Sequence, residues 1–213
     1  MEVGNIKEIQ NQIPKKIQIV AATKYVTSID MKKLFQFGIY HFGENRVDSF
    51  LEKYDDLKEE KICWHFIGHL QRNKALKIID KIQYLHSLDS IELAKIINEN
   101  RKNPLKCFLE ININNEETKH GIKFEKLDYY IKEILKLKNI ELIGFMMMSK
   151  KVSSLEEKQK QFKALAYLLQ RTNERFHLSM KELSMGMSDD YMEAIKAGAT
   201  YIRLGRILWK QEK

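Results

Sequence analysis

The feature that most constrains the fold is an eightfold alternation of short apolar runs with longer segments of helical periodicity. The runs span residues 17–23, 40–45, 63–68, 82–88, 105–112, 140–148, 182–186 and 201–205. Each has the length of a strand, and several are continuously hydrophobic, as in parallel sheets covered on both faces. Eight strand–helix units in one undivided chain predict an α/β fold, a closed (β/α)₈ TIM barrel rather than an open sheet.

Two of the intervening segments carry strong helix signals. Asp89 precedes an apolar stripe with Glu92 three residues later, a typical N-terminal cap, and Asn103-Pro104 ends that helix. In a long polar segment, apolar residues recur at positions 155, 162, 165, 169 and 176. This spacing predicts an outer helix with one buried stripe, a coiled coil being the alternative. A short helix before the first strand is also predicted.

The composition favours a single globular domain over residues 1–213. A chain of 213 residues fits one domain. It contains no apolar run long enough to span a membrane, and its N-terminus lacks the apolar core of a signal peptide, so we expect a cytoplasmic protein. Cys63 and Cys107 lie far apart inside apolar runs, which indicates buried thiols rather than a disulfide or a paired zinc knuckle.

The net charge of +8 raises the question of anionic partners. The lysines, however, are scattered and often stand beside acidic residues, as in 53–61, which predicts solvated helix faces. We therefore expect neither nucleic acid nor a membrane as a partner. An interaction module that uses the basic surface is an alternative that depends on charge alone.

In a (β/α)₈ barrel the functional residues lie at the carboxyl ends of the strands. Lys24 ends the first run and shares a strand face with Val20 and Ala22. If that face points into the barrel, desolvation lowers the pKa of Lys24 and makes it a nucleophile able to form a Schiff base with an aldehyde. The alternative is a lysine that extends into solvent.

The loops after the seventh and eighth strands often bind phosphate in such barrels. Here they offer hydroxyls, glycine backbone and positive charge from Ser184, Ser188, Gly186, Gly205 and Arg206. The alternative interpretation is that Ser188 only caps a helix over 189–197, whose positive end Asp189 and Asp190 favour.

Strand alternation also predicts that Arg203 faces the barrel interior with Tyr201 and Gly205. A buried guanidinium needs a partner, either an aromatic ring nitrogen of a ligand or the carboxylate of Glu44 or Glu110. His65 and His69 stand four residues apart, as in helical zinc motifs. A strand separates such residues by roughly 13 Å, so we expect no metal there.

Six motifs resemble those of the pyridoxal phosphate homeostasis proteins, the YggS/PROSC family, in order along nearly the whole chain. They are ATK at 22–24, HFGEN at 41–45, WHFIGHLQRNK at 64–74, NIN at 112–114 with KHGI at 119–122, LSMGMSDD at 183–190 and AGATYIRLG at 197–205. The resemblance implies a barrel of the alanine racemase N-terminal type that carries pyridoxal 5′-phosphate on Lys24. It places Arg203 at the pyridine nitrogen and implies further pocket and phosphate contacts from Asn45, His65, Ser184, Met185, Gly186 and Gly205.

The resemblance also implies a monomeric carrier or buffer in vitamin B6 homeostasis, with pyridoxal phosphate-dependent apo-enzymes as partners and no catalysis of its own. This chain has Arg206 where the family commonly has threonine after Arg-Ile-Gly, so Arg206 is a candidate phosphate contact. A racemase or lyase on the same fold is the alternative. Related racemases take a second base from an added domain, for which this sequence leaves no residues after the eighth strand, so we favour the carrier.

Overall fold

The computed structural model describes residues 1–113, 120–149 and 154–210 and confirms the predicted barrel. Eight parallel strands pair in chain order, and β1 pairs with β8 to close the sheet. The strands are β1 (Gln18–Ala22), β2 (His41–Glu44), β3 (Cys63–Phe66), β4 (Tyr84–Leu88), β5 (Leu105–Glu110), β6 (Ile140–Met146), β7 (Glu182–Met187) and β8 (Tyr201–Leu204).

Helices connect the strands, and one further helix precedes β1 as predicted. They are α1 (Ile6–Gln12), α2 (Ser28–Lys33), α3 (Val47–Asp56), α4 (Arg72–Ala75), α5 (Ile91–Asn100), α6 (Leu127–Ile134), α7 (Leu155–Phe176) and α8 (Tyr191–Lys196). Short 3-10 helices occupy Phe35–Phe37, Phe124–Lys126 and Arg206–Leu208. The N-cap of α5 is Ser90 rather than the predicted Asp89, because the Ser90 hydroxyl accepts the Leu93 N–H at 3.3 Å.

The long helix α7 uses its apolar stripe within the chain. Phe162, Leu165 and Leu169 are buried, and α7 packs against β6, β7 and α8, as expected for an outer barrel helix rather than a coiled coil. A capping box between Ser154 and Glu157 fixes its start. Among the described residues, no helix is both long and apolar enough to cross a membrane.

The outward faces of the strands are apolar, whereas the barrel interior contains polar side chains. Ile202 and Leu204 are fully buried in the hydrophobic core, whereas Arg203 between them bonds to groups of the interior, as strand alternation predicted. Barrel interiors are usually filled with branched aliphatic residues. This one also contains His65, His86 and Ser184, each fully buried. Because buried polar groups need partners, these side chains have to pair with one another.

Candidate functional site

The neighbouring ends of β1 and β8 bring together three of the predicted site residues. Lys24 follows β1, Gly205 follows β8, and Arg203 lies two residues before Gly205 on the inward face. A Cβ atom placed on Gly205 would lie 3.6 Å from Ala22 Cβ, an ordinary contact distance, so the two strand ends approach closely without crowding. The juxtaposition provides an amine, an open stretch of backbone and a buried cation in one sector of the barrel mouth.

Lys24 is exposed, so the desolvated lysine considered from the sequence is not observed. Its Nζ lies 4.7 Å from the centre of the Tyr25 ring, a cation–π contact at the surface. The alternative, a lysine that extends into solvent, describes this side chain. A cation–π contact at an exposed site is worth only about 0.5–1 kcal/mol, so the amine can leave the ring at small cost.

The backbone before Lys24 is fixed by a buried ion pair. Lys53 Nζ lies 2.5 Å from Glu44 Oε2 and donates to the Thr23 carbonyl oxygen at 2.6 Å. The Thr23 hydroxyl donates to the same Glu44 oxygen at 3.2 Å. Breaking a buried pair leaves an uncompensated charge, so this cluster holds the end of β1 firmly and thereby positions Lys24.

The prediction that residues 53–61 form a solvated face is therefore wrong for Lys53. This lysine is only 7% exposed. It lies on the inner face of α3, at positions 47, 50 and 53, whose three-residue spacing follows one side of a helix. The position of Lys53 on this stripe could have indicated from the sequence that it is buried. Its partner Glu44 could not be predicted in this way, because the pairing depends on the packing of α3 against β2.

Arg203 occupies the interior below the mouth. Its Nη1 donates to Ser184 Oγ at 2.6 Å and its Nη2 to the Met147 carbonyl oxygen at 2.9 Å. Burial lowers the pKa of Arg203 to about 10, against the opposing charges of Glu110 and Asp190, so it remains a cation at neutral pH. Glu44 pairs with Lys53 instead of Arg203, which contradicts the Glu44 half of the predicted alternative, whereas Glu110 acts on Arg203 through its charge.

A chain of hydrogen bonds runs from Arg203 down through the barrel. Ser184 Oγ lies 2.7 Å from His86 Nδ1, His86 Nε2 lies 2.9 Å from His65 Nδ1, and His65 Nε2 lies 2.9 Å from His41 Nδ1. Burial lowers the pKa values of His65 and His86 well below the ordinary value, so both rings are neutral at pH 7. Sequence reasoning missed His86, although it stands in the fourth apolar run.

These hydrogen bonds engage two residues that the sequence analysis placed in the cofactor pocket. The Ser184 hydroxyl is already bonded to Arg203 and His86, so it is not directed at the loops that follow β7 and β8. His65 has both ring nitrogens bonded to other histidines and has none free for a ligand at the mouth. His69 Nδ1 lies 2.9 Å from Asp89 Oδ2 and groups with His120 rather than with His65.

The end of β7 has a conformation that requires glycine. Gly186 has φ +89°, and a Cβ atom there would lie 2.6 Å from Ala194 Cβ. Its close packing on α8 brings the backbone of this strand end beside the end of β8. The Met185 side chain is fully buried in the core, so only its backbone faces the loop.

The helix predicted over 189–197 begins later and is not capped by Ser188. It starts at Tyr191 with Asp190 as N-cap residue, and Asp190 Oδ1 accepts the Met187 N–H at 2.7 Å. Ser149 Oγ lies 2.6 Å and Lys158 Nζ 3.3 Å from the other oxygen of Asp190. The Ser188 hydroxyl instead accepts the Gly205 N–H at 3.3 Å, which ties the two loops together.

Arg206 lies at the rim, where it pairs with Asp189. Its Nη2 lies 2.6 Å from Asp189 Oδ2, and both side chains are about two-thirds exposed. Exposed pairs contribute about 0–1 kcal/mol, so the guanidinium can exchange this partner for another anion.

Asn45 follows β2 at the same end of the barrel and carries an unpaired atom. Its Oδ1 is buried and has no hydrogen-bond partner among the residues that the structure describes. A buried carbonyl without a partner costs roughly 1–3 kcal/mol. Among the predicted site residues, Asn45 is thus an acceptor available to a donor on a bound molecule.

Comparison with known sequences gives consistent similarities over nearly the whole chain. Residues 4–213 match the family described as "Alanine racemase, N-terminal domain". The chain is 38% identical over 207 residues to the "Pyridoxal phosphate homeostasis protein" of a Synechocystis species, covering 95% of this chain and 94% of that protein. It is 34% identical over 199 residues to the protein of the same name from Aquifex aeolicus, covering 92% and 87%.

Solved structures show the same barrel. PipY of Synechococcus elongatus PCC7942, solved with PLP bound, superimposes with a TM-score of 0.91 at 28% identity, covering 96% of this chain and 98% of PipY. An alanine racemase from Clostridium difficile superimposes with a TM-score of 0.78 at 17% identity, covering 98% of this chain but 56% of the racemase. The second similarity is one of fold alone.

Proposed function

This chain belongs to the pyridoxal phosphate homeostasis protein family, and from that premise we propose that it binds pyridoxal 5′-phosphate at the carboxyl ends of its strands. The observation that carries the proposal is the juxtaposition of Lys24, Gly205 and the inward cation of Arg203 where β1 meets β8. The cofactor supplies an aldehyde that reacts with amines and a conjugated ring that can stabilise negative charge.

Lys24 is the residue we assign to the aldehyde. Its amine attacks the carbonyl carbon, the carbonyl oxygen leaves as water, and a Schiff base remains. The ion pair of Lys53 with Glu44 supports this assignment, because it holds the backbone at Thr23 while the Lys24 side chain stays exposed. The buried, unpaired Oδ1 of Asn45 supports it as well, since it offers an acceptor at the same end of the barrel.

Arg203 is the residue we assign to the pyridine nitrogen. A cation with a pKa of about 10 donates a hydrogen bond to that nitrogen and gives up no proton at neutral pH. The ring then stays unprotonated and withdraws electrons weakly from an attached amino acid. This property favours a protein that holds and releases the cofactor, a carrier that supplies apo-enzymes, over one that turns amino acids over.

In this proposal the loops after β7 and β8 bind the phosphate group of the cofactor. Ser184 and Met185 contribute backbone only, because the Ser184 hydroxyl is bonded within the barrel and the Met185 side chain is in the core. Gly186 and Gly205 supply close backbone approach. Arg206 exchanges Asp189 for the phosphate dianion, a charge-assisted bond stronger than a neutral one.

Borohydride trapping tests the assignment of Lys24. The protein is loaded with pyridoxal 5′-phosphate, reduced and digested, and we expect the pyridoxyl group on the Lys24 peptide by mass spectrometry. Lys24→Ala should abolish the visible band, whereas Lys32→Ala, an exposed lysine of α2 that pairs with Glu60, should leave it unchanged. A stable adduct on another lysine of the unmutated protein would contradict the assignment.

Deuterium exchange separates the carrier from a racemase. A racemase needs two acid–base groups on opposite faces of the substrate and an effective electron sink. With Arg203 at the ring, we expect amino acids to exchange their α-hydrogen with ²H₂O far more slowly than they do in a racemase. NMR measures the rate of this exchange. Rapid exchange of alanine or another amino acid that depends on Lys24 would establish an enzyme instead.

A further inference from the structure

Three metal-ligand side chains converge at the opposite, amino-terminal end of the barrel. His41 opens β2 and Cys63 opens β3, and the two residues are register partners in the parallel pair. His65 follows two residues later on the same face of β3, so all three side chains face the same space. His41 Nδ1, Cys63 Sγ and His65 Nε2 lie within 4.8 Å of one another.

The distances between these atoms are close to those of a tetrahedral metal site. Bonds of about 2.0–2.1 Å to nitrogen and about 2.3 Å to sulfur separate two nitrogens by about 3.3 Å, and a nitrogen from a sulfur by about 3.6 Å. Cys63 Sγ lies 3.6 Å from His65 Nε2, and His41 Nδ1 lies 2.9 Å from His65 Nε2. A metal ion therefore needs the two imidazoles to separate by only a few tenths of an ångström.

The central ligand is already oriented by the residues behind it. His65 Nδ1 lies 2.9 Å from His86 Nε2, and the His65 ring stacks on Tyr84 with ring centres 4.4 Å apart. Ligating histidines in metal sites commonly bond through their other ring nitrogen in this way, which fixes the ring and the tautomer. His65 Nε2 is thus the ring nitrogen on the side of Cys63 and His41.

The cluster is also accessible. His65 is fully buried, but His41 and Cys63 are partly exposed, so solvent reaches two of the three ligands. Lys106 lies nearby with its Nζ 5.5 Å from the centre of the Tyr84 ring, and Lys181, Glu141 and Glu182 line the same cleft. The two carboxylates balance the two ammonium groups, so the cleft carries no net charge that opposes a cation.

We propose that His41, Cys63 and His65 bind a divalent transition metal of the zinc class, with water in the fourth position. Imidazole and thiolate are the ligands that such borderline-soft ions select, and binding replaces the thiol proton of Cys63 and the hydrogen bond between His41 and His65. The site is separate from the proposed cofactor site, because the two occupy opposite ends of the strands. Its failure would leave the proposed function untouched.

Cobalt substitution tests the proposal directly. The protein is treated with a chelator, dialysed and titrated with Co²⁺, and spectra are recorded as differences from the metal-free sample to cancel any cofactor band. We expect one equivalent to bind with a thiolate-to-cobalt charge-transfer band and with visible bands typical of tetrahedral cobalt. Zn²⁺ should displace the cobalt and raise the melting temperature, because a ligand that binds only the folded state stabilises it.

Variants identify the ligands. Cys63→Ser should lose the charge-transfer band, and His41→Ala should weaken Co²⁺ binding at least tenfold. Cys107→Ala, at the other cysteine, should bind as the unmutated protein does. Absence of stoichiometric binding in the unmutated protein, or a band that survives in folded Cys63→Ser, would overturn the proposal, with circular dichroism reporting the fold of each variant.

Discussion

At the residue scale, the barrel interior depends on polar groups that satisfy one another. Arg203, Ser184, His86 and His65 form an unbroken chain, so no member needs water. In a buried environment an unpaired member costs more than its bond contributes, which makes the chain cooperative. This arrangement explains how a barrel can tolerate a buried guanidinium beneath its proposed cofactor site.

Glu110 gives a prediction about pH at the same scale. Burial, and next the charge of Asp89, raise the pKa of Glu110 to about 7 from an ordinary 4.5, although Arg203 opposes the change. Between these two pH values the folded state keeps a proton that the unfolded state has released. Stability should therefore fall as pH rises through this window, by on the order of 3 kcal/mol at most, and should level off above pH 7.

Urea denaturation at several pH values checks this prediction. Glu110→Gln removes the titrating group with little change in shape. The free energy of unfolding of this variant should therefore not show the Glu110-dependent decline between pH 4.5 and 7. Glu125→Gln, at an exposed glutamate, serves as the control and should keep it. Equal slopes for Glu110→Gln and the unmutated protein would show that Glu110 has an ordinary pKa.

At the element scale, the junction of β7 and α8 fixes one wall of the proposed phosphate site. Asp190 begins α8 and at the same time accepts from Met187 N, Ser149 Oγ and Lys158 Nζ, which ties β7, β6 and α7 together. Gly186 adds a further contact between β7 and α8, because its backbone packs directly against α8.

Two glycines with positive φ give a matched pair of mutations. Gly186→Ala introduces both an unfavourable φ of +89° and a clash with Ala194, whereas Gly198→Ala, at φ +100°, meets nothing within 4 Å. We expect Gly198→Ala to cost about 1–2 kcal/mol and Gly186→Ala about 1–3 kcal/mol more, measured by urea denaturation. Gly186→Ala should also weaken cofactor binding. Equal stabilities would mean that α8 moves away from β7 without cost.

At the scale of the whole molecule, the barrel separates two proposed sites along one axis. The hydrogen-bond chain reaches from His41 to Arg203, but a metal ion on His65 Nε2 replaces only the bond to His41. The contacts of His65 Nδ1 and of the residues above it include none of the three metal-binding atoms. The two ends should therefore bind their ligands independently.

Exchanging the variants between the two assays tests this independence. Lys24→Ala should bind Co²⁺, and Cys63→Ser should form the borohydride-stable adduct, each within about twofold of the unmutated protein, the range expected for uncoupled sites. Equilibrium titration measures the first and absorbance the second. A larger change in either assay would show that the chain couples the two ends.

The barrel could be predicted without coordinates, because strand-length apolar runs and helical stripes alternate eight times and few topologies accommodate that order. The inward face of β8 could be predicted as well, since alternation along a strand is a local property that places Arg203 opposite Ile202 and Leu204.

The partners of these side chains, in contrast, follow from how the folded elements pack. Lys53 meets Glu44, Ser184 meets His86, and His41 meets Cys63 across separate strands and helices. These pairings depend on register and helix packing, which bring together residues far apart in the chain. Spacing within one segment could exclude a site shared by His65 and His69, but it could not reveal the cluster that forms between two strands.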